Sequence, residues 1–145
     1  MARVLLLIPT RTYRTHDFME AARTLAIDVV VGSPHRPALA SLMDGRHLRV
    51  DFDAIPESVE RIVAFASRLP LDAVVAVDDG GTRVASAAAE RLGLPHNPLA
   101  SVTAASNKVL TRSTLRQAGL PTPLFQVFPV ESDPASIAPQ MRYPC

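Results

Sequence analysis

Apolar runs short enough to be strands alternate with amphipathic stretches long enough to be helices. That alternation limits the fold more than any other feature of the chain. "RVLLLIP" (3–9) is continuously apolar, the pattern of a strand buried on both faces. "THDFMEAARTLAI" follows, with Phe18, Ala21, Ala22 and Leu25 at helical spacing. "DVVVG" (28–32) reads as a second buried strand closed by glycine. "RPALASLMDG" (36–45) reads as a short helix, and "HLRVDF" (47–52) alternates like an edge strand. "PESVERIVAFASRL" (56–69) is the clearest helix, with Pro56 and Glu57 suited to its first turn. Its buried stripe is Val59, Ile62, Val63, Ala66 and Leu69. "DAVVAVDD" (72–79) is a further strand. "TRVASAAAERLG" (82–93) is an alanine-rich helix with Gly93 at its C′ position. Strands and helices in this order build βαβ units, so the expected fold is α/β: an open, mostly parallel sheet with helices on both faces. From about Leu94 the chain is richer in proline. It then holds a helix at 107–118, an expected strand "LFQVFPV" (124–130) and a short polar helix near 133–140.

With 145 residues, 48% hydrophobic and 20% charged, the chain is long and apolar enough to bury a core. A net charge of +1 and 5% aromatic residues argue against nucleic acid and an anionic membrane as partners. The single cysteine, Cys145, admits no intrachain disulfide, and the apolar start is too brief for a signal core or a bilayer span. The expected location is the cytoplasm.

Two stretches carry candidate chemistry. In "VDDGG" (77–81), Asp78, Asp79, Gly80 and Gly81 follow a buried strand and precede a helix. Ligands of open α/β sheets gather at such strand ends. Carboxylates beside glycines would there hold a hydroxyl, an amine or a metal, although the same acids also suit a plain helix N-cap. The first strand-to-helix turn, "PTRTYRTHD", has no glycine, so the dinucleotide fingerprint is lacking; a phosphate-binding glycine loop ending in Lys-Ser/Thr is lacking too. His16, His35, His47 and His96 show no metal-ligand spacing and read as solvated or structural. No serine or cysteine nucleophile motif occurs, so no catalytic residue and no metal ligand is assigned.

The second stretch is "SNKVLTRSTLRQAGLPTP" (106–123). Ser106 or Asn107 caps a helix that Gly119 ends, and Pro121 and Pro123 forbid its resumption. Lys108, Arg112 and Arg116 lie four residues apart, within about 80° of one another on the helix. Lys108 stands in the first turn, where the dipole disfavours a cation by about 0.3–1 kcal/mol. A phosphate held by free N–H groups and the ammonium would offset that. Arg112 and Arg116 read as surface residues.

Here the chain resembles the ATP-grasp superfamily. "SNKVLTRSTLRQAGLPTP" is similar to the segment that opens the ATP-grasp lobe in biotin carboxylases, carbamoyl-phosphate synthetases and phosphoribosylglycinamide synthetases. The matching residues are Asn107, Lys108, Leu115, Ala118, Gly119, Leu120, Pro121 and Pro123. "AVVAVDDGGTRVASAAAERLGLP" (73–95) is similar to the last βα unit of the preceding pre-ATP-grasp domain. The resemblance implies a Rossmann-like pre-ATP-grasp domain over 1–95 and the incomplete α+β start of an ATP-grasp lobe over 96–145. It implies a parent ligase that joins a carboxylate to an amine or thiol through an acyl phosphate, using ATP and Mg2+. Lys108 would reach the nucleotide phosphates, and Asp78–Gly81 would form a substrate-side loop.

In this family an apolar strand with a second nucleotide-binding lysine comes next, and "RYPC" (142–145) looks like its first residues. The expectation is therefore a front piece, inactive alone and binding no ATP tightly. Its partners would be the remainder of the ATP-grasp domain and, through an uncovered edge, further copies of itself. The rival reading is a free-standing α/β small-molecule-binding or interaction module that completes its core by dimerisation. A receiver-like domain fits less well, because the first strand ends in "IPTRT" without acids.

Overall fold

The first apolar run becomes β1 (Arg3–Leu7), and the other strands take their places beside it. The structure, a computed structural model, describes residues 1–10, 12, 14–35 and 46–141. It divides into two compact units, Met1–Ser106 and Asn107–Cys145. In the first, β1 is followed by α1 (Thr15–Thr24), β2 (Asp28–Ser33), β3 (His47–Arg49), α2 (Ile55–Ala66), β4 (Ala73–Ala76), α3 (Thr82–Arg91) and α4 (Leu99–Ala105). The expected helix at 36–45 and the segment 142–145 lie outside the described residues.

The four strands form one parallel sheet in the order β3-β2-β1-β4. The short β3 lies at an edge, as its alternating sequence predicts. Alternate side chains of β1 serve two cores. Leu5 and Leu7 are fully buried with Val30, Val50, Ile62 and Val84, under α2 and α3. Leu6 and Ile8 join Val31 and Val77 on the opposite face, where Phe18 of α1 packs. Helices thus cover both faces, and the α/β class expected from the sequence is the one formed.

Local chemistry fixes the joints. Ser58 is buried in the first turn of α2; its hydroxyl donates to the Asp51 carbonyl at 2.6 Å and accepts from the Asp51 N–H at 2.9 Å. This ties α2 to the end of β3. On α2, Phe65 is buried beside Val59, Ile62 and Ala66, whereas Val63, and Leu69 just beyond the helix, are only partly covered. Gly32 lies inside β2 and does not close it. A Cβ there would stand 2.7 Å from Leu7 Cδ2 and 3.1 Å from Val50 Cγ2, so any side chain at this position requires those neighbours to shift. Leu25 is 68% exposed, because the chain leaves α1 at Thr24 and turns through Ala26 at φ 52°. α3 ends as expected, with Gly93 at φ +66°. α4, which the proline-rich sequence did not suggest, packs on α3.

The second unit contains α5 (Lys108–Gln117), α6 (Pro134–Ile137) and a 3₁₀ turn at Ala138–Gln140. The expected strand at 124–130 does not form. Strand structure requires a hydrogen-bonded neighbour, and among the described residues none pairs with this segment. Leu124, Val127 and Val130 are instead 86%, 60% and 93% exposed.

Candidate functional site

β1 is the branch point of the sheet. From it the chain proceeds to β2 and β3 on one side and then returns to β4 on the other. Loops leaving the carboxyl ends of β1 and β4 therefore diverge, and such a switch point is where open α/β sheets place ligands. The loop after β4 holds Asp78, Asp79, Gly80 and Gly81. Asp78 is extended, and its Oδ1 accepts from the Gly80 N–H at 3.1 Å, capping the 3₁₀ turn Asp79–Gly81. The Thr82 hydroxyl donates to the Asp79 carbonyl at 2.8 Å. The cap reading therefore describes Asp78. The Asp79 side chain is exposed at the mouth of the loop.

The two glycines differ in purpose. A Cβ on Gly81 would stand 3.2 Å from Leu7 Cβ and 3.3 Å from Ala76 Cβ, which are stiff atoms of two strands. Gly81 thus lets the turn sit directly on β1 and β4. Gly80 is exposed, and a Cβ there would meet nothing nearer than 3.5 Å.

The segment after β1 presents Thr10, whose hydroxyl lies 3.0 Å from His35 Nδ1 in the turn after β2. The Ser33 hydroxyl donates to the His35 carbonyl at 2.6 Å and lies 3.1 Å from His47 Nε2. Hydrogen bonds within the strand-end loops thus engage His35 and His47, and His96 Nδ1 lies 2.9 Å from the Leu94 carbonyl. Among the described residues no three His, Cys, Asp or Glu side chains gather as a metal requires.

In the second unit, Asn107 is the cap of α5. Its Oδ1 accepts from the N–H groups of Val109 at 3.0 Å and Leu110 at 3.1 Å. This corrects the sequence expectation at one point. The amides that were to help hold a phosphate already have an acceptor, so an anion there would depend on side-chain cations. Lys108 is exposed in the first turn. Arg116 is exposed, as expected of a surface residue, and Arg112 is half-buried; their guanidinium carbons lie 4.5 and 5.7 Å from the Phe125 ring centroid. Lys108, Val109, Arg112 and residues 125–128 line an open cleft of about 260 Å³. The spacing of the three cations was visible in sequence. Phe125 was not, because two prolines separate it from the helix and no local period links them.

No helix among the described residues is long and apolar enough to cross a membrane. The fold is that of known ligases. An L-amino acid ligase from Bacillus licheniformis superposes with a TM-score of 0.73 at 22% identity, over 88% of this chain and 33% of that one. A phosphoribosylglycinamide synthetase from Anaerococcus prevotii gives 0.61 at 16% identity, over 81% of this chain and 29% of that one. The chain thus spans about a third of the length of these structures. No curated protein matches it. The profile of the ATP-grasp N-terminal domain matches residues 19–96, more than half of the chain, and the chain belongs to that family.

Proposed function

We propose that the chain is the N-terminal part of an ATP-dependent ligase that joins a carboxylate to an amine or thiol through an acyl phosphate. The observation that carries this reading is a succession. A parallel sheet of the ATP-grasp N-terminal family is followed, after α3 and α4, by an Asn-capped helix with Lys108 in its first turn. Residues 1–95 are then the pre-ATP-grasp domain and 96–145 the opening of the ATP-grasp lobe, although the compact division falls at Ser106.

In this reading the Lys108 ammonium contacts the nucleotide phosphates. The exposed Asp79 carboxylate and the unobstructed Gly80 face the substrate, while Asp78 and Gly81 shape the loop. The fit to a phosphate chain is one of charge: among the described residues Lys108, Arg112 and Arg116 form no ion pair with an acid. Mg2+ would neutralise charge on the transferred phosphoryl group. Its ligands belong to the remainder of the lobe, which is also the proposed partner of this chain. The setting proposed is cytoplasmic.

Calorimetry with Mg-ATP and an ADP-release assay test the reading. The 145-residue chain alone should show neither micromolar affinity nor turnover. Joined to the remaining lobe, it should release ADP only when carboxylate and nucleophile are both present. Turnover by the chain alone, or ADP release that ignores the carboxylate, would overturn the proposal.

A further inference from the structure

Arg112 is half-buried on α5, with no carboxylate within ion-pair reach among the described residues. A cation removed from water without an acid partner is costly unless something else compensates it. The Phe125 ring does so in part, through its negative face. Arg116, one turn further on, lies closer to the same ring and secures it against the helix. A guanidinium over a ring keeps its N–H donors in its own plane, directed outward from its edge. Arg112 lines the cleft with Lys108, one turn before it. Two cations one turn apart match the spread of charge on a polyphosphate better than they match a single carboxylate.

We propose that Arg112 is a second phosphate-contacting residue of this cleft and that Phe125 is the positioning residue that holds it for the task. The proposal rests on the ligase reading for the identity of the ligand, a nucleoside triphosphate. It does not rest on the helix end, whose amides Asn107 occupies.

The test titrates the 145-residue chain with inorganic tripolyphosphate at fixed ionic strength and follows backbone amide shifts. Saturable shifts are expected at residues 107–128. Arg112→Gln should weaken binding about five- to tenfold, the loss of one charge-assisted contact. Phe125→Leu should give a similar loss, and Phe125→Tyr should retain most of the affinity. The double variant Arg112→Gln with Phe125→Leu should be no weaker than Arg112→Gln alone, because the ring acts through the guanidinium. Amide spectra of each variant report whether the unit still folds, and the tyrosine variant keeps the ring should the leucine one unfold.

Three results would overturn the proposal. One is unchanged affinity in Arg112→Gln while Lys108→Gln binds weakly. Another is a Phe125→Leu effect that adds fully to that of Arg112→Gln. The third is no saturable binding by the unaltered chain. None of these touches the ligase reading, which stands or falls on carboxylate-dependent ADP release.

Discussion

Asp28 opens β2 with the Arg3 guanidinium 2.6 Å away and that of Arg46 at 3.3 Å. The hydrogen bond from Arg3 holds its carboxyl below the ordinary value of 3.8, against burial, which pushes it up; Arg46 adds to the lowering. A carboxylate depressed in the folded state stabilises above its unfolded pKa and loses that contribution as pH falls through the folded one. Urea unfolding of the chain should therefore weaken below about pH 4, where Asp28 begins to protonate in the unfolded chain. Asp28→Asn should cost about 1–2 kcal/mol at neutral pH, because it leaves Arg3 part-buried without its charge partner. It should also flatten the acid limb; an unchanged limb would mean that other carboxylates dominate. The glycines give a second residue-scale contrast. Gly32→Ala forces Leu7, Val50 and Leu5 aside and should cost about 1–3 kcal/mol. At Gly80 an added Cβ meets only ordinary contacts, with Asp78 Oδ1 at 3.5 Å and Phe52 Cδ2 at 3.9 Å, so Gly80→Ala should lie within about 0.5 kcal/mol of the parent in the same assay. In the sequence Gly32 reads as the close of a strand and Gly80 as part of a candidate substrate-side loop, and neither reading ranks their tolerance of a side chain. What separates them is the side chains that another strand brings against Gly32, and no local pattern encodes that.

α5 is the element where sequence and structure agree most closely and where stability is most local. Its cap, its ten-residue span and its end at Gly119, φ +69°, follow from Asn107, Gly119 and Pro121. Yet none of its residues is buried. A helix of this length is marginal without packing, so the cap carries an unusual share of its stability. Asn107→Ala should destabilise the helix by about 1 kcal/mol. In amide exchange, Val109, Leu110 and Thr111 should then lose about fivefold in protection while the strands of the first unit keep theirs. Equal loss in both would show that the cap supports more than its own helix. The segment 124–130 is the complementary case. Its apolar, β-branched run predicts a strand, and it fails as one for want of a neighbour. Propensity for a strand is fit to a pleated, half-buried surface, which sequence alone cannot supply. The same limit hid the Phe125 contacts, which depend on how this unpaired segment returns to α5.

At the scale of the whole chain, the parallel sheet and its two-sided helices were legible because each rests on periodicity, and periodicity is local. β3 was legible as an edge from its alternation. The candidate loop at Asp78–Gly81 was legible as a strand end, but its switch-point position was not, because that depends on strand order. What the units leave uncovered has a consequence for association. Ten large apolar side chains are exposed among the described residues, and six of them fall between Val109 and Val130. Leu124 and Val130, at 86% and 93% exposure, contribute nothing to either core. Exposed apolar surface of this kind favours association; in the proposed reading the remainder of an ATP-grasp lobe would cover it, and in its absence further copies of the chain would. The isolated chain should therefore gain mass with concentration in light scattering. Leu124→Asp with Val127→Asp should shift it toward the monomer, and its urea midpoint should change little, since both sites are exposed in the monomer. A chain that stays monomeric at every concentration would show that this surface is too dispersed to bind a second copy.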